Sequence, residues 1–199
     1  MSVAGQVTSL RKEVPNEVRI IGGRWKRCKL PVANRPGLRP TPDRVRETLF
    51  NWLGQSLSGW RCLDAFAGSG ALGFEAASRD AAEVTLIERD SVLARSLSES
   101  KARLKVDVLK VECAEALTWM QRCAPASFEL VFLDPPFDSE LALPALKAAA
   151  RVAVADGFVY LESSRAFEDA ELMPLGFKQH RHARAGAVHA HLLQRVIAV

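Results

Sequence analysis

No run of about 18 apolar residues occurs in the 199-residue chain, so no segment reads as a membrane-spanning helix. Residues 1–10 show no basic stretch followed by an apolar one, and no secretory leader is read there. Cysteine is sparse. Cys28, Cys62, Cys113 and Cys123 form no Cys-x-x-Cys pair, which excludes a zinc ribbon, a redox dithiol and a disulfide scaffold. Reduced thiols in a cytoplasmic protein are the expectation. Apolar residues at 48% and charged residues at 25% exclude wholesale disorder and collagen-like repeats. The length suits one domain with a short extension.

Charge is unevenly spread. Residues 1–46 hold eleven Lys and Arg against Glu13, Glu17 and Asp43, a net +8, while the remainder carries −4. A basic arm on a mildly acidic body points to a polyanionic partner. Within the arm, residues 18–21 read as a strand and Gly22-Gly23 as a turn. Trp25 lies among Arg24, Lys26 and Arg27, a mixture that neutralises phosphates and stacks on bases. Arg24, Trp25, Lys26, Arg39, Thr41 and Arg44 are the candidate nucleic-acid contacts. Thr41 is also read as a helix cap, with Pro42 at the first helical position and Asp43 in the first turn. Val45, Leu49, Trp52, Leu53 and Leu57 then form one apolar stripe.

From Trp60 onward strands alternate with helices. Strands are expected at residues 62–64, 84–87, 106–111, 128–133 and 158–161, and helices at 71–78, 91–104, 115–122 and 141–154. Repeated βα units imply an α/β fold with a parallel sheet covered on both faces. The chain ends in an antiparallel hairpin, residues 177–184 and 188–196. Domain boundaries follow: a flexible 1–17, a basic extension 18–58 and a catalytic domain 59–199.

The first strand leads into Asp64-Ala65-Phe66-Ala67-Gly68-Ser69-Gly70-Ala71-Leu72-Gly73. Glycines there let backbone approach a ligand and let a helix begin close to its strand. Gly68, Gly70 and Gly73 also spell a dinucleotide fingerprint. Asp64 separates the two readings. A carboxylate there suits an ammonium or its bridging water and repels a pyrophosphate. Glu88, after the second strand, can accept from two ribose hydroxyls. Glu115, after the third, can accept from an adenine amine or serve as a dipole-favoured helix-terminal acid. Ala65, Phe66, Arg89 and Ala116 complete the expected cofactor contacts, and S-adenosyl-L-methionine is the expected cofactor.

The fourth strand ends in Asp134-Pro135-Pro136-Phe137. Two prolines remove two N–H donors, so carbonyls and the Asp134 carboxylate form an acceptor-only corner. Such a corner holds an exocyclic amine by both N–H bonds and stabilises positive charge developing on its nitrogen. Phe137 offers a flat face for the base. No Pro-Cys motif is present at this corner, which argues against attack by a thiol on a cytosine ring.

Arg19-Ile20-Ile21-Gly22-Gly23-Arg24-Trp25, the run from Arg39 to Leu53, the glycine loop 64–73 and Asp134–Phe137 together resemble the RsmD family of bacterial rRNA methyltransferases. The resemblance spans roughly residues 18–196. It implies a seven-stranded class I (Rossmann-like) methyltransferase fold and adenosylmethionine as methyl donor. It further implies methylation of a guanine N2 amine in 16S rRNA, presented on the small ribosomal subunit. By matching position, it places Asp64, Gly68, Gly70 and Glu88 at the cofactor and Asp134–Phe137 at the target amine. The family's third-strand Asp or Asn is replaced here by Cys113-Ala114-Glu115. A cytoplasmic monomer is expected, with neither membrane nor DNA as partner. Two alternative functions are a DNA adenine-N6 methyltransferase and a non-catalytic ribosome-assembly factor. Finally, a turn at Ala185-Gly186 would pair His180 with His191 and His182 with His189, four imidazoles on one face. That face is read as a solvated or RNA-facing strip, and no metal site is assigned.

Overall fold

The computed structural model describes residues 17–33, 41–136 and 140–196. Its centre is a seven-stranded sheet in the order β5-β4-β3-β6-β7-β9-β8. The strands are β3 (Arg61–Asp64), β4 (Glu83–Glu88), β5 (Leu109–Cys113), β6 (Phe128–Leu133), β7 (Ala153–Ser163), β8 (Phe177–Ala185) and β9 (Val188–Arg195). The first five run parallel, and β9 inserts antiparallel between β7 and β8. β6, Phe-Glu-Leu-Val-Phe-Leu, is central and nearly all buried, as a strand covered on both faces requires.

Helices α1 (Asp43–Trp52), α2 (Ala71–Ser78) and α3 (Ser91–Leu104) feed one apolar core. Helices α4 (Ala116–Arg122), α5 (Ala142–Val152) and the short α6 (Asp169–Leu172) feed the other. The expected layering is therefore present. Strand β5 starts three residues later than the sequence suggests. Lys105 turns left-handed at the end of α3 (φ 54°), and buried Val106 is used to close that turn rather than to begin the strand.

The arm folds as a two-stranded ribbon, β1 (Glu17–Arg19) with β2 (Lys29–Pro31), followed by α1. It does not stand apart as a unit. Val18, Ile20, Leu30, Val45, Leu49 and Phe50 are buried in the same core as α2 and β3. The reason lies in α2, Ala-Leu-Gly-Phe-Glu-Ala-Ala-Ser, every residue of which is buried. A helix apolar all round needs cover on both sides. The sheet covers one side, and the arm covers the other.

Glu75 on α2 is the anchor. It is fully buried and accepts from the Ile21 and Gly22 amides at 2.7 and 2.8 Å. The Arg79 Nε donates to it at 2.8 Å, and the equally buried Arg46 at 3.5 Å. The Arg24 amide donates to the Ser78 carbonyl at 2.7 Å, and the Trp25 amide to the Ser78 hydroxyl at 2.9 Å. At Gly23 (φ 70°) a Cβ would lie 1.7 Å from the Ser78 carbonyl oxygen, so no other residue fits this approach.

The terminal hairpin is present, but its register is two residues from the expected one. Ala185 pairs with Val188, so the turn is Gly186-Ala187 with Gly186 at φ 65°. Positive φ is favoured at the first central position of such turns, and glycine takes it. His182 therefore faces His191, and Arg184 faces His189. An irregularity between Gln179 and Arg181 turns His180 away, against the Phe158 ring at 5.3 Å.

Candidate active site

Three adjacent parallel strands deliver three acids to one sheet edge. β3 ends at Asp64, which pairs with Leu86 of β4 and Phe132 of β6. Glu88 and Asp134 each lie two residues beyond those partners. This carboxyl edge, where strand order reverses around β3, is where open α/β sheets bind ligands.

The loop after β3 is pinned from both sides. The Ala65 amide donates to the Phe132 carbonyl at 3.1 Å, and the Ala67 amide to the Ile87 carbonyl at 2.9 Å. Gly68 (φ 53°) and Gly70 (φ 79°) take left-handed backbone, Gly70 directly ahead of α2. Asp64 is 1% exposed and accepts from the Gly73 amide at 2.9 Å, which ties the strand end to the first turn of α2. Burial pushes its carboxyl up to about 7, and Glu88 adds to this, against the Gly73 and Phe66 amides. The Glu88 carboxylate accepts from Gly68 at 2.9 Å and Asp90 at 2.8 Å, joining the loops that follow β3 and β4. Ala65 is buried, Phe66 half-buried and Arg89 exposed along the same edge.

Glu115 caps α4. Its carboxylate accepts from the Leu117 and Thr118 amides at 2.9 and 2.8 Å and from the Thr118 hydroxyl at 2.7 Å. Burial raises its pKa, but the Thr118 and Leu117 bonds and the Arg89 charge outweigh this and hold it below the usual range. Its helix-terminal role is present, and Ala116 is buried behind it.

Asp134 lies just past β6, followed by buried Pro135 and exposed Pro136. Burial raises its carboxyl well above the usual range, and the charges of Glu162 and Asp64 raise it further, against a bond from Thr41. Phe137 lies outside the described residues, as does Arg39 of the arm.

Two residues expected to contact RNA, Thr41 and Trp25, have partners within the fold. Thr41 does not cap α1, whose N-cap is Pro42 without a side-chain bond. The helix begins one residue late, which frees the buried Thr41 hydroxyl to donate to Asp134 Oδ2 at 3.5 Å. Trp25 is half-buried, and its indole donates to the Leu104 carbonyl at 2.9 Å, so it fastens the arm to α3. Arg24, Lys26 and Arg44 are exposed, as cations meeting a polyanion must be.

The sequence reading missed Tyr160 and Glu162. Both are buried on β7 and face the side of the sheet that holds Phe132 and Asp134. Their alternation with Leu161 was a signal, but only pairing with β6 turns it toward the site. His182, His189 and His191 bring ring nitrogens within 4.8 Å of one another, with His191 fully buried. His182 Nε2 and His189 Nδ1 are 3.0 Å apart.

The sheet order, the glycine loop and the acids at its edge define a class I methyltransferase. A family model described as "Conserved hypothetical protein 95" matches residues 18–194. Ribosomal RNA small subunit methyltransferase D of Escherichia coli K12 is 42% identical over 186 residues, 90% of each chain. The enzyme of that name from Haemophilus influenzae is 47% identical over 142 residues, 67% of this chain and 72% of its own. A solved Escherichia coli structure described as a candidate methyltransferase, yhhF, is 41% identical, has a TM-score of 0.78 and covers 92% of this chain and 99% of its own. The chain belongs to the RsmD family of methyltransferases.

Proposed function

We propose that the protein transfers a methyl group from S-adenosyl-L-methionine to the N2 amine of a guanine in 16S rRNA, on the small ribosomal subunit. The single observation that carries this reading is the acceptor corner after β6. Asp134 sits at the carboxyl edge, one strand from Asp64, and two prolines follow it without an N–H to offer. The names of the relatives support the rRNA substrate.

The residues at the edge fit the cofactor. Glu88 is a half-buried carboxylate suited to ribose hydroxyls, and Asp64 sets negative charge near an ammonium or sulfonium. The left-handed turn at Gly68 and Gly70 keeps side chains away from the strand-helix junction. Adenosylmethionine supplies an electrophilic methyl together with its own leaving group. The protein's task is then to position and stabilise. A guanine N2 lone pair is delocalised into the ring. Asp134 and a neighbouring carbonyl accept both N–H bonds, which turns the lone pair outward. Positive charge developing on nitrogen meets the Asp134 carboxylate. Phe137 is assigned to stack on the base. The exposed Arg24, Lys26 and Arg44 are assigned to phosphates. A cytoplasmic monomer suits so large a substrate.

The test is methyl transfer from labelled adenosylmethionine to small subunits lacking the modification, followed by nucleoside analysis. N2-methylguanosine is expected. Transfer only to adenine in DNA would replace the reading, and cofactor binding without transfer would leave an assembly factor. Asp134→Ala should lower turnover by about 10²-fold or more, with cofactor affinity within about threefold. Near-normal turnover in that variant sinks the assignment of Asp134.

A further inference from the structure

We propose that His182, His189 and His191 form a binding site for one divalent transition-metal ion, zinc by ligand type, which clasps the terminal hairpin. The inference does not depend on the methyl-transfer reading.

Hairpin register builds the site. His189 and His191 stand two residues apart on β9, so both side chains lie on one face of the sheet. His182 of β8 pairs directly with His191 and is the diagonal neighbour of His189, close enough for long side chains to meet. The pairing expected from the sequence would have spread four rings along this face. The irregularity between Gln179 and Arg181 instead removes His180 and sets His182 against His191. On its other side β9 pairs His191 with Leu161 and His189 with Ser163. The cluster therefore lies on the face away from Tyr160 and Glu162 and outside the catalytic corner. Among the described residues it is the one group of three such side chains placed to share an ion.

The ligand atoms are close. One ring nitrogen from each histidine lies within 4.8 Å of the others, and His182 Nε2 and His189 Nδ1 are 3.0 Å apart. Tetrahedral zinc, with bonds of about 2.0–2.1 Å, holds its nitrogens about 3.4 Å apart. Exposed His182 and half-buried His189 have room to turn to that spacing, and fully buried His191 is the fixed member. The two nitrogens of His191 face Gln179 Oε1 at 2.9 Å and the Arg165 carbonyl at 3.4 Å. A neutral imidazole has one N–H, so one nitrogen is held by the fold and the other keeps its lone pair. Such a bond on the far nitrogen is what orients a metal-ligating histidine. Burial favours the neutral ring at His191 and His189, and the neutral ring is the form that ligates.

The His182–His189 bond places one proton between two nitrogens. The ion takes its place, and the donor ring then carries its N–H on its other nitrogen, so no charge is lost from the ligands. The cations acting on these rings are Arg165 and Arg184. Glu171 neutralises Arg165 through bonds at 3.0 and 2.7 Å. Arg184 opposes a bound cation, so moderate affinity is expected. Three protein ligands leave the fourth position to water. β8 is the outermost strand and pairs with β9 alone, so an ion held from both strands ties down the edge of the sheet.

The test is zinc binding by the full chain without an affinity tag, titrated against a chromophoric chelator. One equivalent is expected. His182→Ala and His189→Ala should each weaken binding by about tenfold or more, and His180→Ala should leave it unchanged. Neither of the first two substitutions reaches the core, and buried His191 stays in place. Cobalt in place of zinc should give the visible absorption of tetrahedral coordination in wild type and lose it in both variants. Bound zinc should also slow hydrogen exchange of the β8 amides. A flat titration, or a wild type that binds no more tightly than His182→Ala and His189→Ala, overturns the site. Exchange on β8 that zinc does not alter overturns the clasp.

Discussion

His191 shows how far a residue's surroundings can depart from its type. It stands on β9, a strand that sequence alone marks as half polar, yet it is fully buried. Its Nδ1 lies 2.9 Å from Gln179 Oε1, and its ring meets Phe167 edge-on at 5.8 Å. Burial pushes the imidazole down to about 4, and His182, His189 and Arg165 push the same way, against the Arg165 carbonyl. A folded-state value below the ordinary 6.5 means the neutral ring is the one the fold keeps. Its contribution is present above pH 6.5 and is lost as pH falls from there toward 4, by up to about 3 kcal/mol. The acids Asp64, Asp134 and Glu162 are raised and act in the opposite sense. The difference between wild type and His191→Leu isolates the histidine. Urea unfolding from pH 7 to pH 4 should show wild type losing stability relative to that variant. Parallel curves would refute the assignment.

At the scale of elements, α2 and the arm depend on each other. An eight-residue helix rich in alanine has little stability alone. It persists because the sheet and the arm bury it on both sides. The cost is a buried charge cluster, with Glu75 between Arg46 and Arg79. Glu75→Ala leaves Arg79 without its acid, Arg46 with Asp43 alone, and two arm amides without an acceptor. Loss of one partner in such a cluster costs about 3–5 kcal/mol, which for a chain of this size is of order 10 °C in Tm. Calorimetry measures the loss, and hydrogen exchange should show the Ile21 and Gly22 amides opening first. A variant within about 1 kcal/mol of wild type would show that the ribbon holds by its apolar contacts alone. Most elements were legible, because 3.6-residue and two-residue periods survive in the sequence. β2 and α6 were not, since three or four residues are too few to show a period.

At the scale of the whole molecule, charge separates the arm from the body. Arg24, Lys26 and Arg27 project from the turn that α2 clasps, and Arg44 projects from α1. Each cation that meets a phosphate releases counterions and steepens the salt dependence. Replacing Arg24, Lys26 and Arg27 together by alanine should lower the slope of log affinity against log salt by about two to three. Filter binding of the rRNA substrate between about 50 and 200 mM salt gives that slope, while adenosylmethionine affinity should stay unchanged. An unaltered slope would move the RNA-binding surface away from this turn.

What the sequence determined by itself was the order of strands and helices, the glycine loop, and the acids Asp64, Glu88 and Asp134 at the ends of the first, second and fourth strands of the parallel sheet. These are local facts, set by periodicity, by the conformational freedom of glycine and by the two prolines after Asp134. Tertiary structure alone decided which distant residues share a site. β7 pairs with β6 in a register that brings Glu162 level with Asp134, and the arm folds back to set Thr41 against Asp134. It also moved the hairpin by two residues, so that three histidines meet and His180 turns away. Strand register and the docking of the arm depend on packing between segments far apart in the chain. No local pattern contains that information, because the energy that selects it is the burial of both surfaces at once.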